Sequence, residues 1–187
     1  MNIQLAVSGD PGSFSEEAGR LYATRRGWND VDIVFSTDMG GVLKAVNEDS
    51  IQYGIFPVVN SRGGLVHMAF EAMGAYNFTM IDELWFEVYQ CLMVLPGTKK
   101  EDITAIVSHP QALAQCDRYL KKHFPEAELR EWGDTAKAAK DLHDGVLEST
   151  CAVIAPTRSQ QIYELEMLDR GIQDAHPNLT TFIVVEK

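Results

Sequence analysis

The sequence predicts an α/β fold in which two lobes share one chain. Three observations carry that prediction. Short apolar, β-branched runs alternate with segments of helical period. The alternation gives way to a β-rich stretch near the middle and then restarts. No low-complexity tract or polar linker separates the halves, and the chain closes on one more strand, "NLTTFIVVE" (178–186), expected to return to the first lobe.

The elements follow in order. "IQLAVSG" (3–9) reads as a strand running into a glycine turn, and "SFSEEAGRLYATRRG" (13–27) as a helix. Ser13 and Glu16 have the spacing of a capping box, and Gly27 that of a helix stop. "VDIVFS" (31–36) is a second strand, and "TDMGGVLKAVNEDS" (37–50) a helix weakened by its glycines. "YGIFPVVNS" (53–61) is a third strand, followed by a glycine-rich turn and the helix-period run "GLVHMAFEAMGAY" (64–76). Residues 79–97 form the β-rich connection. Then strand, turn and helix repeat three times, over 103–124, 127–145 and 149–168.

Bulk properties narrow the function. The chain has 187 residues, 45% hydrophobic and 23% charged, as in an ordinary globular protein. A formal net charge of -11 argues against nucleic acid or an anionic membrane as partner. It leaves room for a small anionic substrate in a locally positive pocket. Cys91, Cys116 and Cys151 are far apart and form no C-x-x-C pair; with no secretory leader before "MNIQLAV", they read as reduced thiols of a cytoplasmic protein. The five histidines show no i, i+4 pair, so no metal site is expected. No apolar run reaches the roughly 20 residues needed to span a bilayer.

Chemistry concentrates where strands end. "SGDPGSFS", "NSRGG", "SHPQ" and "GDTAKAA" each bring Ser, Thr or Asn to or near a helix start. Any one of them reads first as a helix cap, worth about 1 kcal/mol. Four in one chain point to a site for a small organic anion, because helix N-termini offer unpaired N–H groups at the carboxyl ends of strands. "GDPGSFS" lacks the glycines and lysine of a nucleotide-binding loop. His109, ahead of Pro110, reads as a turn residue rather than a general base, His143 as part of a helix exit, and His176 as a turn before Pro177. Thr180 and Thr181 open the last strand either as strand formers or with one hydroxyl turned to a cavity.

The same junctions resemble the prephenate dehydratase catalytic domain over nearly the whole chain. "SHPQALAQCDRYL" (108–120) is the most specific match. "GDPGSFSEEA" is similar to the family's G-P-x-G-T-F-S opening, "YGIFPVVNSRGG" to its P-I-E-N-S segment, "DTAKAA" to S-T-A-x-A-A, and "NLTTF" to N-x-T-R-F. The resemblance implies two α/β lobes like a type II periplasmic binding protein, with the site in the cleft between them. Lobe 1 would span about residues 1–80 plus 172–187, and lobe 2 about 81–171. It implies prephenate as substrate, converted to phenylpyruvate with loss of water and carbon dioxide, without cofactor or metal, in a homodimer. By resemblance, Thr180 is the catalytic threonine, and Ser13, Asn60, Ser61, Ser108, Gln111, Thr135 and Phe182 are pocket positions. With no residues after Lys187, no regulatory ACT domain is expected, nor a chorismate mutase segment ahead of the chain.

Three departures stand out. Thr181 replaces the motif arginine, Val59 the glutamate before Asn60, and Gln90 a histidine of the crossover strand. The first two losses are read as coupled, since an unpaired buried charge is costly. Arg62 and Arg158 are the candidate replacement cations for a substrate carboxylate. The departures leave two other readings open: a diverged enzyme such as a non-aromatising decarboxylase, and a small-carboxylate binding protein without turnover.

Overall fold

A computed structural model describes residues 3–187. β1 (Ile3–Ser8) carries Leu5, Ala6 and Val7, all wholly buried, because it has strands on both edges and helices on both faces. It lies parallel to β2 (Val31–Ser36) and to β3 (Tyr53–Asn60). Parallel neighbours require crossovers, supplied here by α1 (Phe14–Arg25) and α2 (Met39–Asn47). α1 ends as its sequence predicts: Gly27 takes a positive φ of 69°, and its N–H and that of Trp28 close on the carbonyls of Thr24 and Ala23. Asp38 caps α2, its carboxylate accepting from the Gly41 N–H.

A two-residue strand, β4 (Gly64–Leu65), folds back on β3 at the start of the run 64–76, where no strand is expected from the sequence. α3 (His67–Ala75) and the long β5 (Thr79–Glu87) follow. The closing strand, numbered β11 (Leu179–Glu186), inserts antiparallel between β3 and β5, giving the order β2-β1-β3-β11-β5. The return of the last strand to the first half is thus as expected. Leu5, Val7, Tyr22, Ile55, Leu84 and Phe182 pack on one face of this sheet, and Ala6, Leu43, Phe56, Ile183 and Val185 on the other.

The second sheet repeats the plan. β7 (Ala105–Ser108) lies parallel to β8 (Glu128–Glu131) and β9 (Cys151–Ala155), and β6 (Cys91–Val94) pairs antiparallel with β9. Two expectations are corrected here. The helix predicted after β7 is broken into α4 (Pro110–Gln115) and α5 (Asp117–His123). Asp174 stands at the break: its carboxylate accepts from the N–H groups of Arg118 and Tyr119, capping α5 from 56 and 55 residues away in sequence. In the third repeat, the helix α7 (Thr157–Ile162) stops early. After a left-handed turn at Glu164 (φ 52°), Glu166–Arg170 forms β10, an edge strand antiparallel to β6. Between these lies α6 (Thr135–His143), and the sheet order is β10-β6-β9-β7-β8.

The chain divides into two compact units. One holds the described residues up to Asp10 with Phe14–Glu87 and Leu179–Lys187; the other holds Pro11–Ser13 and Val88–Asn178. All three cysteines are free, buried and in the second unit. Among the described residues, no helix is long and apolar enough to cross a membrane.

Candidate functional site

In the first unit, strand pairing brings the end of β3 against the start of β11, with Thr180 directly opposite Asn60. Both side chains are buried, at 7% exposure each. Asn60 closes the turn after β3: its Oδ1 accepts from the backbone N–H of Arg62 at 2.9 Å and of Gly63 at 2.7 Å. Two backbone donors on one oxygen fix the orientation of the amide. The amide nitrogen must then face Thr180, and Nδ2 donates to Thr180 Oγ1 at 2.8 Å. Ser61 secures the same junction, its Oγ accepting from the Leu179 N–H at 3.0 Å. Thr180 therefore has an acceptor lone pair engaged, while no group among the described residues accepts its proton. Such a hydroxyl is set up to donate to something else. Arg62 lies exposed on the turn, two residues from Asn60. Phe182, 1% exposed, belongs to the apolar core and meets Phe86 edge-on at 6.1 Å.

Two of the three departures in the motifs are neighbours in space. Thr181 pairs with Val59 across one strand edge and with Trp85 across the other, and Val59 pairs in turn with Leu65. Thr181, where the resemblance implies arginine, thus faces Val59, where it implies glutamate. Facing side chains on adjacent strands interact directly, so a change at one of these positions is felt at the other. The register shifts between Thr181 and Phe182.

In the second unit, Ser108 ends β7, Gln111 lies in the first turn of α4, Thr135 opens α6, and Arg158 lies in the first turn of α7. All four stand at the carboxyl ends of β7, β8 and β9, one edge of the sheet. Their surroundings differ. Ser108 is wholly buried and donates to the Ile154 carbonyl at 2.6 Å. Gln111 is exposed, Arg158 half-buried and Thr135 buried. The starts of α4 and α6 are capped, but by other residues than Ser, Thr or Asn, and Pro156 ahead of α7 offers no side-chain cap. His109 Nδ1 accepts from the Gln111 N–H at 3.2 Å, which makes it a cap, and Asp134 accepts from the N–H groups of Ala136 and Lys137. Ser13 is buried just before α1. The loop before it is held by Ser159 Oγ donating to the Gly12 carbonyl and Tyr163 Oη donating to the Pro11 carbonyl. Gly12 has no alternative there: its φ is +88°, and a Cβ would come within 2.8 Å of Ser159 Oγ.

β6 runs opposite to β9, so its start lies at this same edge. Here is a polar network that sequence patterns did not single out. Gln115 Oε1 accepts from Gln90 Nε2 at 3.1 Å and from Asn178 Nδ2 at 2.9 Å, and Gln173 Oε1 accepts from the Gln90 N–H. Gln90 Oε1 is buried without a partner among the described residues. The signals were present piecemeal, in Asn178 of "NLTTF" and Gln115 of "SHPQALAQ", but their meeting is a tertiary fact.

The comparisons bear on the whole chain. A family model described as "Prephenate dehydratase" matches residues 5–187. The Arabidopsis thaliana protein "Arogenate dehydratase/prephenate dehydratase 6, chloroplastic" is 33% identical over 187 residues, covering 100% of this chain and 44% of its own length. The chain spans less than half the length of that relative. Among solved structures, the prephenate dehydratase of Arthrobacter aurescens, in complex with L-Phe, superposes with a TM-score of 0.88 at 24% identity, over 99% of this chain and 60% of its own. A nutrient binding protein from Burkholderia cenocepacia, bound to methionine, gives 0.56 at 13% identity over 98% of this chain and 84% of its own. These two show the fold, a pair of α/β lobes like those of prephenate dehydratase and periplasmic substrate-binding proteins. With a matched family model from Leu5 to the last residue, the chain belongs to the prephenate dehydratase family.

Proposed function

We propose that the protein is a lyase that converts prephenate to phenylpyruvate, with Thr180 as the group that assists departure of the ring hydroxyl. The observation that carries this reading is the Asn60–Thr180 hydrogen bond, which leaves the threonine proton to be given outward. The reaction needs little more from a protein. The C–O bond to the ring hydroxyl breaks as that oxygen takes a proton and leaves as water. The bond to the ring carboxylate breaks at the same time, its electron pair enters the ring, and carbon dioxide departs. One proton is consumed, the ring becomes aromatic, and no oxidant or reductant is needed. Thr180 stabilises the leaving oxygen through its O–H, a contribution worth about 10²–10³ in rate for a well-placed donor. Arg62, on the turn that Asn60 closes, is the cation proposed to meet a substrate carboxylate. The 33% identical relative is named for arogenate as well as prephenate. The two acids share the reacting ring, so both belong in the assay.

The test is turnover with product identification. Purified protein incubated with prephenate, and separately with arogenate, should yield phenylpyruvate or phenylalanine respectively, with carbon dioxide. A product that has lost the carboxylate but keeps the ring hydroxyl would replace this reading with a non-aromatising decarboxylase. Binding without any product would replace it with a carboxylate-binding protein.

A further inference from the structure

Asn60 does more than close a turn. Its Oδ1 is held by the N–H groups of Arg62 and Gly63, so only its NH₂ can face Thr180. A hydroxyl whose oxygen already accepts a bond, in a site 7% exposed, cannot turn its proton toward the same partner. We infer that Asn60 is a positioning residue that sets the direction of the Thr180 hydrogen bond, keeping the proton of Thr180 available to the leaving group. The inference rests on the reaction proposed above. It makes the amide, rather than polarity in general, the property required at residue 60. An aspartate there has the same shape and still closes the turn through one oxygen. Its other oxygen, when ionised, accepts from Thr180 and takes the proton away from the substrate. When protonated, that oxygen donates as the amide does.

The experiment uses the full chain and the variant Asn60→Asp. At neutral pH, kcat should fall about 100-fold, the worth of a lost donor, with KM within about threefold of wild type. As the pH is lowered through the value of the new carboxyl, kcat relative to wild type should recover. A loss that is flat with pH in a folded variant, or near wild-type kcat at neutral pH, would overturn the inference. A second readout does not depend on turnover. NMR titration of the introduced carboxyl should give a pKa below the ordinary aspartate range, moving up when Thr180→Val removes the donor. An unchanged value would overturn the inference even if the wild type is active. If the wild type turns over neither acid, the proposed reaction fails, and the titration alone decides whether Asn60 sets the direction of the bond.

Discussion

Thr180 is buried, bonded and set in a sheet, yet no group among the described residues takes its proton. That combination separates it from an ordinary strand threonine, whose hydroxyl usually donates to a nearby carbonyl. Thr180→Val keeps the shape and removes the donor. It should lower kcat by about 10²–10³, and it should also cost about 1–3 kcal/mol in urea denaturation, because Asn60 Nδ2 loses its acceptor inside the protein. Thr180→Ser keeps the hydroxyl and should retain most activity. Cysteine chemistry has no comparable standing. Burial pushes Cys116 up, and burial with the Glu148 carboxylate pushes Cys151 up to about 11, so both thiols stay protonated and unreactive at neutral pH.

Strand pairing shows how departures from a motif are to be weighed. Thr181 and Val59 each look like a lost charge when the sequence is read along the chain, and the pairing sets the two positions opposite one another. Thr181→Arg alone should destabilise the protein, and adding Val59→Glu should recover about 0.2–1 kcal/mol of that loss as a coupling energy in a double-mutant cycle. Strict additivity would mean that the two positions are independent. The broken helix after β7 makes the same point about distance. Its apolar period runs through Cys116, so local pattern predicts one helix, and the cap comes from Asp174, far along the chain. Asp174→Ala should speed amide exchange at Arg118 and Tyr119 and cost about 1 kcal/mol. β10 departs from the expected helix for a related reason: its partner β6 lies more than 70 residues earlier in the chain.

At the scale of the molecule, the alternation of strands and helices and the return of β11 were legible because each depends on patterns a few residues long. Asn60, Ser61 and Thr180 were legible as motif residues, but not the direction of the bond between two of them, which joins positions 120 apart. The same limit hid the glutamine network around Gln90 and the capping roles of His109 and Asp134. Acid stability should report the second unit. Burial raises the Asp141 carboxyl, but the bonds from Lys137 and Trp132 outweigh it and hold the group below its ordinary value of 3.8. A carboxylate depressed on folding adds stability above its unfolded value and loses it as pH falls through the folded one. Thermal melts from pH 6 to about pH 2 should therefore show an acid limb that Asp141→Asn flattens. The central claim, that Thr180 drives an aromatising elimination, rests on one assay. Wild-type protein and Thr180→Val are each given prephenate and arogenate, and the products are identified. Phenylpyruvate or phenylalanine from the wild type, reduced at least about 100-fold in the variant, is the predicted result; a wild-type rate equal to buffer on both acids, or an undiminished rate in the variant, would contradict it.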